Sequence, residues 1–125
     1  MMKLSEAIRL GALAIPQTCL YNGCAIGTAL FAVGRNWHYN KAIAPASALE
    51  KAIKLWPFLT TLEVPSPPGG IYRPYPCSVF VIIEDLNGVT TLRWTRERIA
   101  DWVEGIEKEY DVYHEENILC QQTVT

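Results

Sequence analysis

Between Arg9 and Arg35 the chain runs through 25 residues without a formal charge. That length is enough to cross a bilayer or to fill the middle of a small domain. Two interruptions decide between these. The segments "PQT" (16–18) and "YNG" (21–23) cut the run into apolar pieces of about ten residues, which suit buried helices and are too short to span. A membrane-embedded chain is therefore not the expected reading.

The second piece, "NGCAIGTALFAVG", is apolar on every side, so a central, buried helix is predicted. Asn22 suits its N-cap and Gly34 its C-terminal stop. Cys24, Gly27 and Thr28 form a small-residue strip that another helix backbone can approach. The first piece belongs to a helix over "LSEAIRLGALAI", with Leu4, Ala7, Ile8, Ala12 and Ile15 at helical spacing. Ser5 is its expected N-cap and Pro16 its stop. Gly11 weakens that helix, and close helix packing is the expected reason for it.

Further on, "ASALEKAIKLWPFL" predicts a third helix with a Ser47/Glu50 capping box. Leu49, Ala52, Ile53 and Trp56 make its buried stripe, and Pro57 ends it. Residues 65–76, "PSPPGGIYRPYP", contain five prolines and two glycines and must form a loop. Pro65–Pro68 fits a PxxP ligand; the competing reading is a surface connector ordered by Tyr72 and Tyr75. The segment "SVFVIIEDLNGVTTLRW" admits two readings. Its β-branched run and Asn87-Gly88 turn fit a short hairpin over 79–94. The spacing of Val79, Ile82, Ile83 and Leu86 fits a helix ended by Asn87 and Gly88. The last helix is less ambiguous: Thr95 caps it, and Ile99, Trp102, Val103, Ile106 and Tyr110 form its apolar stripe. Glu104 and Lys108 stand in the favourable i,i+4 order.

With 125 residues, half of them apolar, the chain suits one globular domain over about residues 1–120, followed by a loose tail at 121–125. Residues 1–83 hold seven Lys/Arg against three Asp/Glu, and residues 84–125 hold four against ten. The two parts can attract each other within or between chains. Cys19, Cys24, Cys77 and Cys120 form no Cys-x-x-Cys pair, and the N-terminal stretch lacks the order of a secretory signal, so reduced thiols and a cytoplasmic setting are expected.

Two pairs of blocks, "KLSEAIRLGA" with "CAIGTALFAVG" and "IIEDLN" with "WTRERIADWVEGIE", resemble a family of short bacterial and phage proteins of uncharacterised function. Members carry a Cys-Ala-Leu-Gly-Ala-like helix and a Leu-Asn-Asp segment before a Trp-Thr-Arg-Glu-Gln-Ile-Ala-Asp-Trp helix. The resemblance covers residues 3–35 and 79–108. It implies a small, mainly helical domain, favours helix at 79–87, and implies no activity. It leaves a phage or mobile-element origin open. The chain departs from the family at Gly88, where aspartate is usual, and "YPCSV" keeps one cysteine where relatives tend to have two.

"TRERIADWV" is similar to the first helix of helix-turn-helix domains, but six carboxylates follow between Glu104 and Glu116, which a phosphate backbone repels. Arg93, Arg96 and Arg98 form the one local basic cluster, expected to pair with Asp101 or other acids. Cys24 falls near a helix N-terminus, which favours a thiolate, but an apolar setting opposes it; His38 and His114 are the available bases. Cys19, Cys24, Cys77 and His114 have no standard zinc spacing. No cofactor or metal is expected. Trp37, Tyr39, Tyr72, Arg73 and Tyr75 flank loops and make the candidate interface.

The expected architecture is thus a mainly α domain of four or five packed helices with a Pro-rich loop. The expected function is a non-enzymatic protein-interaction or accessory module, acting on a protein partner or as a homodimer. A small DNA-associated regulator ranks second and a Cys24-dependent enzyme third; nucleic acid and membrane are not expected partners.

Overall fold

A computed structural model describes residues 2–20, 23–34 and 45–113. In chain order these form α1 (Leu4–Ala12), α2 (Ala25–Ala32), α3 (Pro45–Leu55), α4 (Phe58–Thr61), β1 (Glu63–Val64), β2 (Cys77–Ser78), α5 (Val79–Asn87) and α6 (Arg96–Glu109). The protein is mainly helical. The sixth helix beyond the expected four or five is the single turn α4. Pro57 does end α3, but it then serves as the N-cap of this turn.

α2 lies at the centre, as its all-round apolar sequence requires. Its six residues from Ala25 to Leu30 are all buried, and it packs on α1, α3 and α5. α6 lies along α1 and closes the core through Ile99, Val103 and Ile106; Trp102 sits half-buried at its edge. α1 crosses α2 at Gly11. A Cβ there would lie 2.1 Å from the Thr28 carbonyl oxygen, so only glycine permits the approach. Gly34 ends α2 with φ of 70°.

Residues 79–87 are helical, which corrects the hairpin reading of 79–94. The Ser78 hydroxyl accepts from the Val81 N–H, and Gly88, at φ 94°, turns the chain out of the helix. Both ends are thus fixed by residues that favour helix boundaries, and the apolar 3-4 spacing faces the core. The only sheet among the described residues is a two-residue antiparallel ladder, Glu63 with Ser78 and Val64 with Cys77. Its ends are joined by the Pro-rich segment.

Three expected caps are corrected. Lys3, not Ser5, is the N-cap of α1 and gives no side-chain bond. Cys24 caps α2, its Sγ accepting from the Gly27 N–H; Asn22 lies outside the described residues. Ser47 lies inside α3, which begins at Pro45, a residue suited to a first helical turn because it needs no N–H partner there. The capping box is therefore not formed. The seam of α3 is also rotated by one position: Ala48, Ala52 and Trp56 are buried while Leu49 and Ile53 are half-buried. Thr95 caps α6 as expected, accepting from the Arg98 N–H.

The attraction between the basic and acidic parts acts within the chain. Arg9 on α1 reaches Asp101 and Glu104 on α6, each at 2.6 Å, and Lys108 bonds Glu104 at 2.9 Å. Lys108 and Arg9 together hold the Glu104 carboxyl down to about 2. Its ionised form is bound more tightly in the folded chain than in the unfolded one. The contribution is complete above the ordinary carboxylate range and is lost as pH falls through about 2.

Gly105 is the opposite of Gly11. It lies within α6, and a Cβ added there would meet nothing within 4 Å. Gly105→Ala is expected to stabilise the protein by about 0.5–1 kcal/mol, because alanine loses less backbone freedom in a helix. Urea unfolding of the two proteins measures this, and a destabilised variant would contradict it.

Candidate interaction surface

The Pro-rich loop is built to hold still while its aromatic side chains face solvent. The Trp94 indole N–H donates to the Gly69 carbonyl at 3.3 Å, and the Ser66 hydroxyl donates to the Ile71 carbonyl at 2.7 Å. Arg73 forks onto Asp85 of α5, with Nε at 2.7 Å and Nη2 at 3.1 Å. With the β1–β2 ladder closing its base, the loop is tied at its ends and along its length. Tyr72 and Tyr75 take no part in this: they are 86% and 71% exposed. The expectation that these tyrosines order the connector is thereby corrected; backbone carbonyls, Ser66, Arg73 and Trp94 do so. Ile71 beside them, and Val89 and Leu92 after α5, are also exposed.

The three arginines of the expected basic cluster part company. Arg96 is buried: its Nη1 donates to the Thr28 hydroxyl at 2.8 Å and its Nη2 to the Ile15 carbonyl at 2.6 Å. Its Nε has no partner among the described residues, and burial lowers the Arg96 pKa, offset in part by the nearby Cys24. Arg93 and Arg98 are exposed. Arg93 bonds the Asp85 carbonyl at 3.4 Å, and Arg98 lies over the Trp94 ring with its Cζ 3.7 Å from the centroid. None of the three pairs with Asp101, which Arg9 takes. The Pro-rich loop instead meets Arg93 through the pairing of its own Arg73 with Asp85, and meets Arg98 at Gly69 and Trp94. Arg73 and Arg93 converge on Asp85, and the Arg98 Nη2 would be 3.2 Å from a Cβ at Gly69.

Several buried polar groups have the chemistry of active sites, and each is engaged in structure. Cys24 caps α2, and burial pushes its thiol up to about 12. Native Cys24 is therefore expected to stay unlabelled by a thiol reagent at pH 7–8 while half-buried Cys19 and Cys77 react; denaturation should expose it. Peptide mapping of the adducts tests this, and preferential labelling of native Cys24 would refute it.

The polar cluster where α1 begins and α6 ends was not anticipated. Ser5 Oγ donates to Glu107 Oε1 at 2.5 Å, and Tyr113 donates to Glu107 Oε2 at 2.5 Å. The Ser5 N–H also reaches Oε2, at 3.2 Å, and the Leu4 N–H reaches the Tyr113 oxygen at 3.0 Å. A serine against a carboxylate can be a nucleophile with its base, but this Ser5 is only 1% exposed. Its arrangement is a helix cap supplied by a distant helix: an anion and a phenol oxygen satisfy the free N–H groups of α1.

Asn87 is a second such node, also missed. Its Oδ1 accepts from the Gln17 side chain at 3.0 Å and from the Ala25 N–H at 3.2 Å, while its Nδ2 donates to the Thr18 and Gly88 carbonyls. Gln17 in turn donates to the Trp94 carbonyl at 2.8 Å. The α1–α2 connection is thus stitched to the α5–α6 connection.

Trp37 and Tyr39 of the expected interface, with His38, His114 and Cys120, lie outside the described residues. Among the described residues, Cys19, Cys24 and Cys77 are free thiols, and no three His, Cys, Asp or Glu side chains gather as metal ligands. No helix among them is long and apolar enough to cross a membrane. Comparison of the chain with protein-family models, with curated proteins and with solved structures finds no match.

Proposed function

We propose that the protein is a non-enzymatic binding module that presents the face around the 65–76 loop to a protein partner. One observation carries this reading: Tyr72 and Tyr75 stand in solvent on a loop whose backbone is fastened elsewhere. Burying a large aromatic at an interface releases much apolar surface, and a loop already fastened loses little further freedom on binding. Among the described residues no contact engages these two rings, whereas Cys24, Ser5 and Glu107 are spent on helix caps. Free thiols suit a reducing compartment, so the cytoplasm is the setting of this reading. A second copy of the chain is one admissible partner.

The test is a photo-cross-linking amino acid at position 72, with the exposed position 54 of α3 as control, in cells of the native host. Adducts formed at 72 and absent at 54 support the proposal. Equal adducts, or none at 72, would overturn it. Sedimentation of the purified protein then separates a homodimer from a complex with another chain.

A further inference from the structure

The partner's chemistry can be read from the cations around that loop, an inference that rests on the function proposed above. Arg98 is the informative group. Its guanidinium lies 3.7 Å over the Trp94 ring, and Trp94 is itself fixed by its bond to Gly69. Stacking on an indole engages the flat face of a guanidinium and leaves its N–H edge free. Among the described residues no acceptor meets the Arg98 side chain, which is exposed. It is therefore a planar donor fork held in one place, its edge unpaired among the described residues. Arg93 stands nearby with a single long bond to the Asp85 carbonyl, and Arg73 is already paired to the Asp85 carboxylate. Of the three, only Arg73 is neutralised by a carboxylate among the described residues; Arg98 lies against the loop at Gly69, and exposed Ile71 and Tyr72 follow in the same loop, with exposed Leu92 next to Arg93 in the chain.

We infer that this face binds an acidic protein segment, with Arg98 forking onto a carboxylate of the partner while Tyr72 and its aliphatic neighbours cover an adjacent apolar side chain. Charge complementarity selects this occupant. A fork with fixed geometry matches a carboxylate in two parallel bonds, and pre-organisation removes much of the cost of ordering the arginine. Nucleic acid is the weaker fit: Asp85 sits among the cations, exposed Ile71, Val89 and Leu92 offer aliphatic surface, and the whole chain is net negative.

Selection of a random short-peptide library on the intact protein tests the inference. Peptides retained by the wild type should be enriched in Asp and Glu beside an apolar residue, and should compete with the cross-link at position 72. Their binding should weaken by about tenfold in Arg98→Ala, as for loss of a charge-assisted pair, and should fall with added salt. Arg98→Glu should reverse the preference toward Lys and Arg. Because Arg98 is exposed, circular dichroism of both variants should match the wild type. Retained peptides that compete at position 72 but show no acidic bias would overturn this inference and leave the binding module standing. An adduct at position 72 that nuclease destroys would overturn it in favour of nucleic acid. Failure of any adduct at 72 would remove the module itself.

Discussion

Gly11→Ala is expected to be the most damaging single substitution, lowering stability by about 3 kcal/mol or more and the melting temperature by roughly 10 °C or more. The added methyl would lie 2.1 Å from the Thr28 carbonyl oxygen, well inside contact distance. The obstacle is backbone, and it belongs to α2, the most enclosed element of the molecule. It has no rotamer through which to yield. Relief requires α1 and α2 to separate, which disturbs the core that both share with α6. Thr28 also accepts the Nη1 donor of Arg96, so the displacement spreads to a second contact. Thermal and urea unfolding followed by circular dichroism measure the effect. A Gly11→Ala protein within about 0.5 kcal/mol of wild type, the range of ordinary surface changes, would show that the two helices do not cross as described.

Arg96→Ala should cost about 2–4 kcal/mol, and the comparison with Arg96→Met decides why. The guanidinium is buried, makes two hydrogen bonds to neutral oxygens, and has no carboxylate partner among the described residues. Its bonds stabilise the crossing of α2 with the end of the α1 turn. Its charge, without a counter-ion and with Nε unpartnered, works against folding. Alanine loses the bonds, orphans the Ile15 carbonyl and empties the space of the side-chain stem. Methionine loses the bonds but refills that space and removes the charge. Arg96→Met is therefore expected to retain at least about 1 kcal/mol more stability than Arg96→Ala. Equal losses in denaturant unfolding would mean that the hydrogen bonds alone hold the site.

These two positions also show what the sequence discloses. Gly11 was legible because a glycine inside a strong helical pattern needs a packing reason, and the small residues of α2 offered a partner. Thr95, Gly34, Pro57 and the Ile99, Val103 and Ile106 part of the α6 stripe were legible for the same kind of reason, each acting through its neighbours in the chain; of the rest of that stripe, Trp102 is half-buried and Tyr110 is exposed. Arg96 and Glu107 were not read correctly, although a signal existed. Both continue the buried face of α6 defined by Ile99, Ala100, Val103 and Ile106, Arg96 before it and Glu107 after it. A charge on such a stripe announces a buried polar contact, but its partner lies in α1 or α2, far away in sequence. Asn87 was read as a turn residue for the same reason; its partners Gln17, Thr18 and Ala25 are about 60–70 positions distant. The 79–94 segment was balanced locally and was decided by what Ser78 and Gly88 do at its ends. Of the candidate interface, the exposure of Tyr72 and Tyr75 fits the composition of the loop, whereas the stacking of Arg98 on Trp94 depends on how the loop folds back.

The borrowed caps have a consequence for how the chain is made. α1 receives its first-turn acceptors from Glu107 and Tyr113, and α2 receives one from Asn87. During synthesis α1 and α2 thus leave the ribosome long before the groups that complete them have been made. Short helices gain most of their stability from tertiary packing, so α1 and α2 should wait, loosely formed, until α6 emerges and the three set together.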